Sequence, residues 1–376
     1  MKALQHARHA RLRLALAGLL AAAPVLAAPP ADRPIQPSDW RQANDTVGAF
    51  PRGHADVLRW EQAQPPATNP EPAPAPAATG LALPTAEAAV RLAWRLHPEL
   101  ARPLARIGPA ASTAIAQGQW TAIDPSLQRR IDHLDEVFAV AVSARQAWLA
   151  AVAAQQRLRP QREALEAAET AFELGQRMAT VGNWSALQAA RVQRAALSER
   201  MNLQRAQAAA AAAQADLLHL LRQAGQTAAL VLPEQLPAVP EAAMAAADLQ
   251  QRARLLQAQL PDAQVLRSRW QAPLAIDTYR AAHTLARLAT TEQLPTQRLI
   301  TDEVLLHYNG MLKSVWDVLA EVRNRAQAEA EAIDAQRDFW LAEAQLQWVL
   351  QGGAPERLLS LGGPGGAGEA AAGPGH

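Results

Sequence analysis

The sequence predicts an all-α protein built on two long antiparallel coiled-coil α-hairpins. The first observation is a helix-breaking elbow that occurs twice, at Val181-Gly182 and at Asn309-Gly310, because Gly and Asn tolerate the left-handed conformation at a helix end. The second is the restart after each elbow, where residues 185–188 and 314–317 read Ser-x-x-Gln and Ser-x-x-Asp, the pattern of a capping box. The third is an alanine-rich composition with only 4% aromatic residues, which suits long helices with thin seams.

Residues 1–27 have the pattern of a secretory signal peptide. Basic residues come first, residues 14–26 form a short apolar core, and Val25-Leu26-Ala27 gives the small-residue cleavage pattern. The alternative is a membrane anchor, but that core is too short to span a bilayer comfortably, and no later stretch reaches the roughly 18 to 20 uninterrupted apolar residues of a membrane helix. The chain has no cysteine, which excludes lipid attachment to a mature N-terminal Cys, disulfides and thiolate metal sites.

Composition divides the chain into six parts. They are the signal peptide at 1–27, a polar lead-in at 28–63, a Pro/Ala linker at 64–80, helical repeats at 81–230 and 231–351, and a Gly/Ala/Pro tail at 352–376. A Pro-rich linker is an extended, semi-rigid spacer, and a tail of this composition is typically disordered. In the lead-in, His54, Asp56 and Glu61 could be imagined as metal ligands, but such a trio in a loop usually serves capping and solvation.

The first hairpin is predicted from apolar residues that recur along two arms. The outgoing arm, from about residue 126 to 180, carries Leu127, Ile131, Leu134, Phe138, Ala141, Trp148, Val152, Leu158, Leu165, Phe172 and Ala179. The return arm carries Leu187, Ala190, Leu197, Met201, Ala208, Ala211, Ala215 and Leu218. A sustained seven-residue repeat is typical of a coiled-coil seam. We therefore expect Leu134, Phe138, Trp148 and Val152 to be buried against the return arm, and the run Ala208–Ala213 to allow close approach.

The second hairpin begins at Leu294-Pro295, turns at Asn309-Gly310 and returns as far as Gly352-Gly353. Gly182 and Gly310 are expected at the turns with a backbone conformation that other residues rarely adopt. Three prolines are expected to kink or interrupt the arms; they are Pro160, Pro273 and Pro295. A short helical segment interrupted by a proline, at Pro98 and at Pro261, precedes each hairpin. Two units in the same order indicate an internal duplication.

These features together resemble the TolC family of outer-membrane efflux proteins over roughly residues 81–351. The points of resemblance are the signal peptide, the duplicated unit, the openings at Pro98 and Pro261, the two elbows, and Asp317-Val318-Leu319-Ala320, which is similar to the family's Asp-Val-Leu-x-Ala restart. The resemblance implies a homotrimer that forms a periplasmic α-helical tunnel below a β-barrel in the outer membrane of a Gram-negative bacterium. It also implies that the hairpin tips contact a periplasmic adaptor, which links the tunnel to an inner-membrane pump.

Carried over by position, the partner-contact residues are the two tips. They are Val181, Gly182, Asn183, Trp184 and Ser185 in the first hairpin, and Asn309, Gly310, Met311, Leu312, Lys313 and Ser314 in the second. Trp184 and Trp316 are candidate anchors for a partner, since exposed tryptophans often dominate binding energy; the alternative is that they only pack.

The sequence departs from the family at the membrane strands. The family inserts two strands into each half, and each needs about 9 to 11 alternating residues. Residues 101–124 are rich in Ala, Gly and Pro, and residues 261–295 keep helical character, so we expect little or no β-barrel unless it is built from residues we do not recognise. The mature protein is then expected in periplasmic extracts, or held at a membrane only by partners.

Enzymatic chemistry is not predicted. The sequence contains no HExxH, GxSxG or phosphate-binding glycine loop, and it predicts no cofactor and no metal site. A net charge of +1, with acids and bases interspersed, argues against a nucleic-acid surface. Two functions of different class remain: a passive efflux conduit for small molecules or metals, or a barrel-less periplasmic coiled coil that binds an adaptor or channel and does not itself transport. Metal handling has no Met or His cluster to support it.

Overall fold

The computed structural model describes residues 80–124, 126–222, 229–260, 262–355 and 357–361, all within one compact unit, Pro76–His376. The predicted signal peptide, the lead-in with His54, Asp56 and Glu61, and the Pro/Ala linker up to residue 79 lie outside the described residues. So do Pro261 and the tail beyond residue 361.

The described elements follow one another along the chain as helices with two short strands. In order they are β1 (Gly80–Ala82), α1 (Ala86–Arg95), α2 (Ala101–Gln117), α3 (Leu127–Arg130), α4 (Leu134–Thr180), α5 (Ala186–Leu220), β2 (Ala229–Val231), α6 (Ala246–Gln257), α7 (Asp262–Leu288), α8 (Leu294–Asn309) and α9 (Val315–Val349). Single turns of 3₁₀-helix lie at Pro98–Leu100 and Trp120–Ala122, and a π-helical turn lies at Ala289–Gln293. The predicted all-α fold with two long hairpins is confirmed.

The two strands pair in parallel and place the beginnings of the two halves side by side. Gly80 is opposite Ala229 and Ala82 is opposite Val231, and Leu83 N–H donates to the carbonyl of Val231 at 2.9 Å. Each strand is followed by a short helix, α1 or α6, and each half ends in a long hairpin, but α2 and α3 lie between α1 and the first hairpin and have no counterpart in the second half.

The first hairpin consists of α4 and α5, and its outgoing arm starts later than predicted. The chain is helical only briefly at Leu127–Arg130, and His133 takes a left-handed conformation (φ 61°) that separates this turn from α4. α4 continues through Pro160, so this proline does not interrupt the arm, and the kink predicted there stays a prediction. Pro160 is itself buried, so its ring contributes to packing at the position where the helix loses one hydrogen bond.

The second hairpin consists of α7 and α8 going out and α9 coming back. Pro273 likewise lies inside α7 without ending it, so it does not interrupt that arm, and the kink predicted there stays a prediction. At Pro295 the expectation holds, since the α-helical pattern gives way to the π-helical turn just before it. Proline has no N–H to donate to the preceding turn, and a local π-turn is one of the irregularities at which helices bend. The hydroxyls of Thr290 and Thr291 donate to carbonyls four residues earlier, both at 2.7 Å.

Packing between the helices gives the order α5, α4, α9, then α7 and α8. α4 contacts both α5 and α9, and α9 contacts both α7 and α8, so α5 forms one edge of the row and α7–α8 the other. Residues 101–124 and 261–295, in which no membrane strands are predicted, contain helix in their described parts: α2 covers residues 101–117, with a non-helical residue at Gly108, and α7 covers residues 262–288.

The main hydrophobic core lies at the strand end of the row, far from the elbows. Phe138 is fully buried and meets the edge of Trp120 at 5.2 Å between ring centroids. Trp148 donates its indole N–H to the carbonyl of Leu83 at 2.9 Å. The predicted burial of Leu134, Phe138, Trp148 and Val152 is confirmed, but α1 and the turn at Trp120 share that core with the end of α5.

On the return arm α5, the residues that pack against α4 are not the predicted ones. Ala196, Leu203, Ala210 and Leu217 face α4 at seven-residue intervals, and three of them are buried. They stand one residue before the predicted line through Leu197 and Leu218, so α5 is rotated by about 100° from expectation. Of the run Ala208–Ala213 only Ala210 is buried.

Arginine–carboxylate pairs connect the hairpins between the core and the elbows. Four pairs cross to α9: Arg157–Asp334, Arg159–Glu329, Glu163–Arg325 and Glu199–Arg323. On α4 itself the buried residues of this part are mostly small, including Ala164, Ala167, Ala168 and Gly175. Leu158, Leu165 and Phe172, predicted for the seam, are half-buried. Small side chains let the helices approach closely, and the charged pairs lie around that contact.

One helix of the described residues is long and apolar enough to span a membrane. An 18-residue window of Leu134–Thr180 has a mean hydropathy of 1.6, and 56% of it is buried inside the fold. The core helix of a soluble protein meets the same criterion, and α4 is the helix that packs on both α5 and α9.

Candidate functional site: the hairpin tips

The first elbow closes as the sequence predicts. Gly182 has a φ of 80°, and Asn183 N–H donates to the carbonyl of Met178 at 2.9 Å, which pairs a carbonyl left free at the end of α4. The capping box is complete: Gln188 N–H donates to Ser185 Oγ at 3.3 Å, and Ser185 N–H donates to Gln188 Oε1 at 2.9 Å. These bonds fix the direction in which α5 leaves the tip.

The second elbow differs from the prediction at one residue. Gly310 has φ −80° and ψ 6°, an ordinary conformation, and Met311 is the residue with a positive φ of 60°. The expectation for Gly310 is therefore wrong. The positive-φ residue stands three residues before the capping serine in both elbows, Gly182 before Ser185 and Met311 before Ser314, and Leu312 N–H donates to the carbonyl of His307 at 2.8 Å. The Ser314–Asp317 capping box is present, and the hydrogen bonds from the backbone and hydroxyl of Ser314 lower the pKa of Asp317.

Alanine substitutions at the two elbow glycines should therefore differ in sign. Gly182→Ala is expected to lower the free energy of unfolding by about 1 kcal/mol, because a side chain is strained at positive φ. Gly310→Ala should be neutral or raise it by up to about 1 kcal/mol, since alanine fits φ −80° and restricts the unfolded chain. Urea unfolding of both variants, followed by circular dichroism, makes the comparison. Equal losses at the two positions would contradict these backbone assignments.

The structure brings the two elbows together through a tryptophan pair. Trp184 of the first tip stacks on Trp316 of the second, with ring centroids 4.4 Å apart and planes 30° from parallel. Gly175 in α4 makes room for this pair: a methyl group there would lie 2.8 Å from the Trp184 ring and 2.7 Å from Val192. Both tryptophans are half-buried. The two indole rings contact each other, so this stack sets the spacing between the two tips.

Around this pair the tips expose large apolar side chains. Met311 is 94% exposed and Leu312 76%, and Val181, Leu187 and Leu306 each exceed 60%. The other predicted contact residues, Asn183, Ser185, Asn309, Lys313 and Ser314, are exposed as well. An apolar patch with a polar rim fits contact with another protein. Across the residues that the structure describes, no group of three His, Asp or Glu side chains is placed to hold a metal ion.

Sequence reasoning missed two exposed stripes along the edges of the row. On α5 the residues predicted for the seam point outward; Leu187, Ala190, Leu197, Met201, Ala208 and Ala215 are all exposed. On α7 exposed apolar residues recur three, four or seven residues apart along one side; they are Leu266, Trp270, Leu274, Ala281, Leu285 and Leu288. The exposed Leu299 and Leu306 continue the second edge along α8. The periodicity was visible in the sequence, but it does not say whether the partner helix is in the same chain.

Comparisons with known proteins give fold-level likeness only. No protein-family model matches the chain, and no curated protein matches it. Among solved structures, CusC, described for its folding and transmembrane channel formation, is 14% identical over 72% of this chain and 92% of its own, with a TM-score of 0.44. The Campylobacter jejuni outer membrane channel CmeC is 11% identical over 65% and 68%, with a TM-score of 0.42. The outer-membrane channel OprN is 14% identical over 65% and 70%, with a TM-score of 0.43.

Proposed function

We propose that this chain is a TolC-like component of a tripartite efflux system, in which copies of the chain close side by side into a passive conduit for small molecules or metals. The observation that carries the proposal is the pair of exposed apolar stripes on opposite edges of one row of helices. Different surfaces on the two edges make a head-to-tail contact, and such contacts generate rings when the rotation closes. The resemblance of the sequence to the TolC family implies that the ring contains three copies.

The two stripes match in height above the elbows. Leu197 lies about 18 Å along α5 from the Ser185 cap, and Leu299 lies about 16 Å along α8 from the Gly310 cap, at 1.5 Å per residue. Farther from the elbows, Ala208 and Leu288 are also at similar heights, about 35 Å from the Ser185 cap and about 33 Å from the Gly310 cap. Small residues on α5 thus face leucines on α7, which is how facing helices interdigitate. A second copy of the chain is the occupant that fits both edges.

The tips then supply the contact with other components of the exporter. In a ring every copy presents Met311, Leu312 and Val181 at the same end, because the Trp184–Trp316 pair holds both elbows together. The partners that the resemblance implies are a periplasmic adaptor and, through it, an inner-membrane pump. The proposed role is mechanical: the protein provides a passage and a docking surface, and the pump supplies the energy.

One observation favours the alternative function, a periplasmic interaction protein that does not itself transport. Residues 101–117 and 262–288 are helical, at the places where the family inserts its membrane strands. A chain without those strands would bind an adaptor or a true channel through the same tips and edges. The two functions share the helical body and differ in whether the protein is integral to the outer membrane.

Washing isolated membranes with carbonate or high salt separates the two functions. The conduit predicts that the mature protein stays in the outer-membrane fraction and migrates differently on a gel before and after heating. Release into the wash, or recovery in periplasmic extracts without lysis, would contradict the conduit and support the interaction protein. An unrelated integral outer-membrane protein and a soluble periplasmic protein from the same cells are the matched controls.

A further inference from the structure

Two arginines accompany the exposed apolar stripe of α5. Arg194 and Arg205 are exposed, and they stand three residues before the stripe residues Leu197 and Ala208. Residues three apart are neighbours on a helix surface, so each arginine lies beside the stripe. The two arginines are eleven residues apart, which is close to three full turns and places them on the same side of α5.

Two glutamates accompany the stripe on the opposite edge with the same spacing. Glu303 lies in α8 and Glu292 in the π-helical turn, and both are exposed. They stand four residues after the stripe residues Leu299 and Leu288, and they are eleven residues apart. One edge of the row therefore carries positive charge beside its apolar residues, and the other edge carries negative charge.

None of these four charged side chains forms an ion pair with a residue that the structure describes. Glu199 and Arg200, which lie between the two arginines on α5, are paired within the chain, with Arg323 and Glu169. Arg205 by contrast donates only to a neutral side chain, Asn202 Oδ1, at 3.1 Å. The charges beside the two stripes are thus left for a partner outside the chain.

The opposite charges also match in height above the elbows. Arg194 lies about 14 Å along α5 from the Ser185 cap, and Glu303 lies about 11 Å along α8 from the Gly310 cap, at 1.5 Å per residue. Arg205 and Glu292 lie about 30 Å and about 27 Å from the same caps. The offset is about 3 Å in the same direction for both pairs, which is within the reach of an arginine side chain. One placement of two copies therefore brings both arginines opposite glutamates.

We propose that Arg194 and Arg205 of one copy form ion pairs with Glu303 and Glu292 of the next copy, and that these pairs select the head-to-tail contact. The proposal rests on the conduit proposed above, in which copies meet at these edges. If two α5 edges met about a two-fold axis along the helices, arginine would face arginine at both heights. Like charges that face each other disfavour association, whereas opposite charges favour the correct partner surface.

Disulfide cross-linking between differently tagged copies that are exported together tests these ion pairs. One copy carries Leu197→Cys and the other carries Leu299→Cys, so the yield of linked pairs reports the contact between unlike edges. Changing Arg194→Glu and Arg205→Glu in the first copy places like charges opposite each other at both heights. We expect the yield to fall about fivefold or more.

Charge reversal on the second copy should restore the contact. With Glu292→Arg and Glu303→Arg opposite the reversed arginines, the yield should return to near that of the unreversed chains. The same glutamate changes opposite unreversed arginines should lower the yield, so the test does not depend on one variant. Arg102→Glu with Arg162→Glu makes the same change in net charge at exposed positions of α2 and α4 and should leave the yield unchanged.

The possible failures of the ion pairs and of the ring are distinguishable. A yield that stays constant on charge reversal, or that falls without being restored by reversal on the second copy, would overturn the ion pairs and leave the ring in place. A fall of equal size in the Arg102 and Arg162 control would overturn them as well, because it would show a general effect of net charge. No linked pair between the unreversed cysteine chains would contradict the ring itself. All four charged positions are exposed, so the variants are expected to fold, and circular dichroism checks this.

Discussion

Replacing Phe138 by alanine is expected to lower the free energy of unfolding by about 3 to 5 kcal/mol, the usual cost of deleting a buried aromatic side chain. Phe138 is fully buried and meets Trp120 edge-on, so its removal leaves a cavity where α4, α1 and the Trp120 turn join. Chemical denaturation followed by far-ultraviolet circular dichroism measures the change. The midpoint should fall with little change in the slope of the transition.

Leu187→Ala is the matched control, because that leucine is 62% exposed at the start of α5. It should change the free energy of unfolding by less than about 0.5 kcal/mol in a monomer. A Phe138→Ala loss as small as that of the control would show that the core is not at the strand end of the row.

Replacing Arg145 by methionine is expected to lower the free energy of unfolding by about 3 kcal/mol, because it leaves a buried carboxylate without its charged partner. Glu343 and Arg145 are each about 10% exposed as side chains, with 3.5 Å between Arg145 Nη2 and Glu343 Oε2. Gln347 also donates to Glu343 and accepts from Trp120 N–H at 2.6 Å, so the carboxylate lies in a network joining α9 to the core. Without the arginine, desolvation of Glu343 is uncompensated.

The loss should depend on pH in a defined direction. Burial raises the pKa of Glu343 above 4.5, more than Arg145 lowers it. A group whose pKa is raised on folding contributes stability that is fully present below its unfolded pKa and lost as pH rises through the folded pKa. Removing Arg145 raises the pKa of Glu343 in the folded protein further. The free energy of unfolding of Arg145→Met should therefore fall further below that of the unsubstituted protein at pH 8 than at pH 4.

Adding Glu343→Gln should restore most of the stability of the Arg145→Met variant, because the second change removes the unpaired charge. Urea unfolding of the single and double variants across this pH range gives the coupling between the two residues. Two results would contradict a buried ion pair at this place. One is a double variant whose loss of stability is the sum of the two single losses, and the other is a loss in Arg145→Met that does not change with pH.

Local rules predicted the elbows, and global packing decided what they could not. Gly182, Ser185 and Ser314 act through hydrogen bonds within a few residues, which the sequence specifies completely. The prediction for Gly310 is wrong because the left-handed position is the third residue before the capping serine in both elbows, which places Met311 there and leaves Gly310 at the helix C-cap. The two prolines do not interrupt their helices: α4 and α7 continue through Pro160 and Pro273, where packing on neighbouring helices outweighs one lost hydrogen bond.

The seam shows a second limit of sequence reasoning. A seven-residue apolar repeat on α5 predicts a helix partner, but two parallel lines one residue apart satisfy the same period. The line through Ala196 and Leu217 faces α4, and the line through Leu197 faces outward. Larger residues on the outward line made it the more visible signal.

The central claim, that copies join edge to edge in one direction, is tested most directly by a disulfide between copies. The chain has no cysteine, so each introduced thiol is unique. Leu197→Cys and Leu299→Cys chains, tagged differently and exported together, place thiols level on the two edges. A bridge requires Cα atoms closer than about 7 Å. Thr170→Cys, level with both but on the inner helix α4, is the control partner.

We expect a disulfide-linked pair of differently tagged chains when Leu197→Cys meets Leu299→Cys, and no such pair when Thr170→Cys replaces Leu197→Cys. Leu197→Cys alone should not link to itself, because a head-to-tail contact brings different surfaces together. Self-linking of Leu197→Cys would show a two-fold dimer, and absence of any linked pair in exported protein would show that the edges do not meet. Either result would contradict the ring.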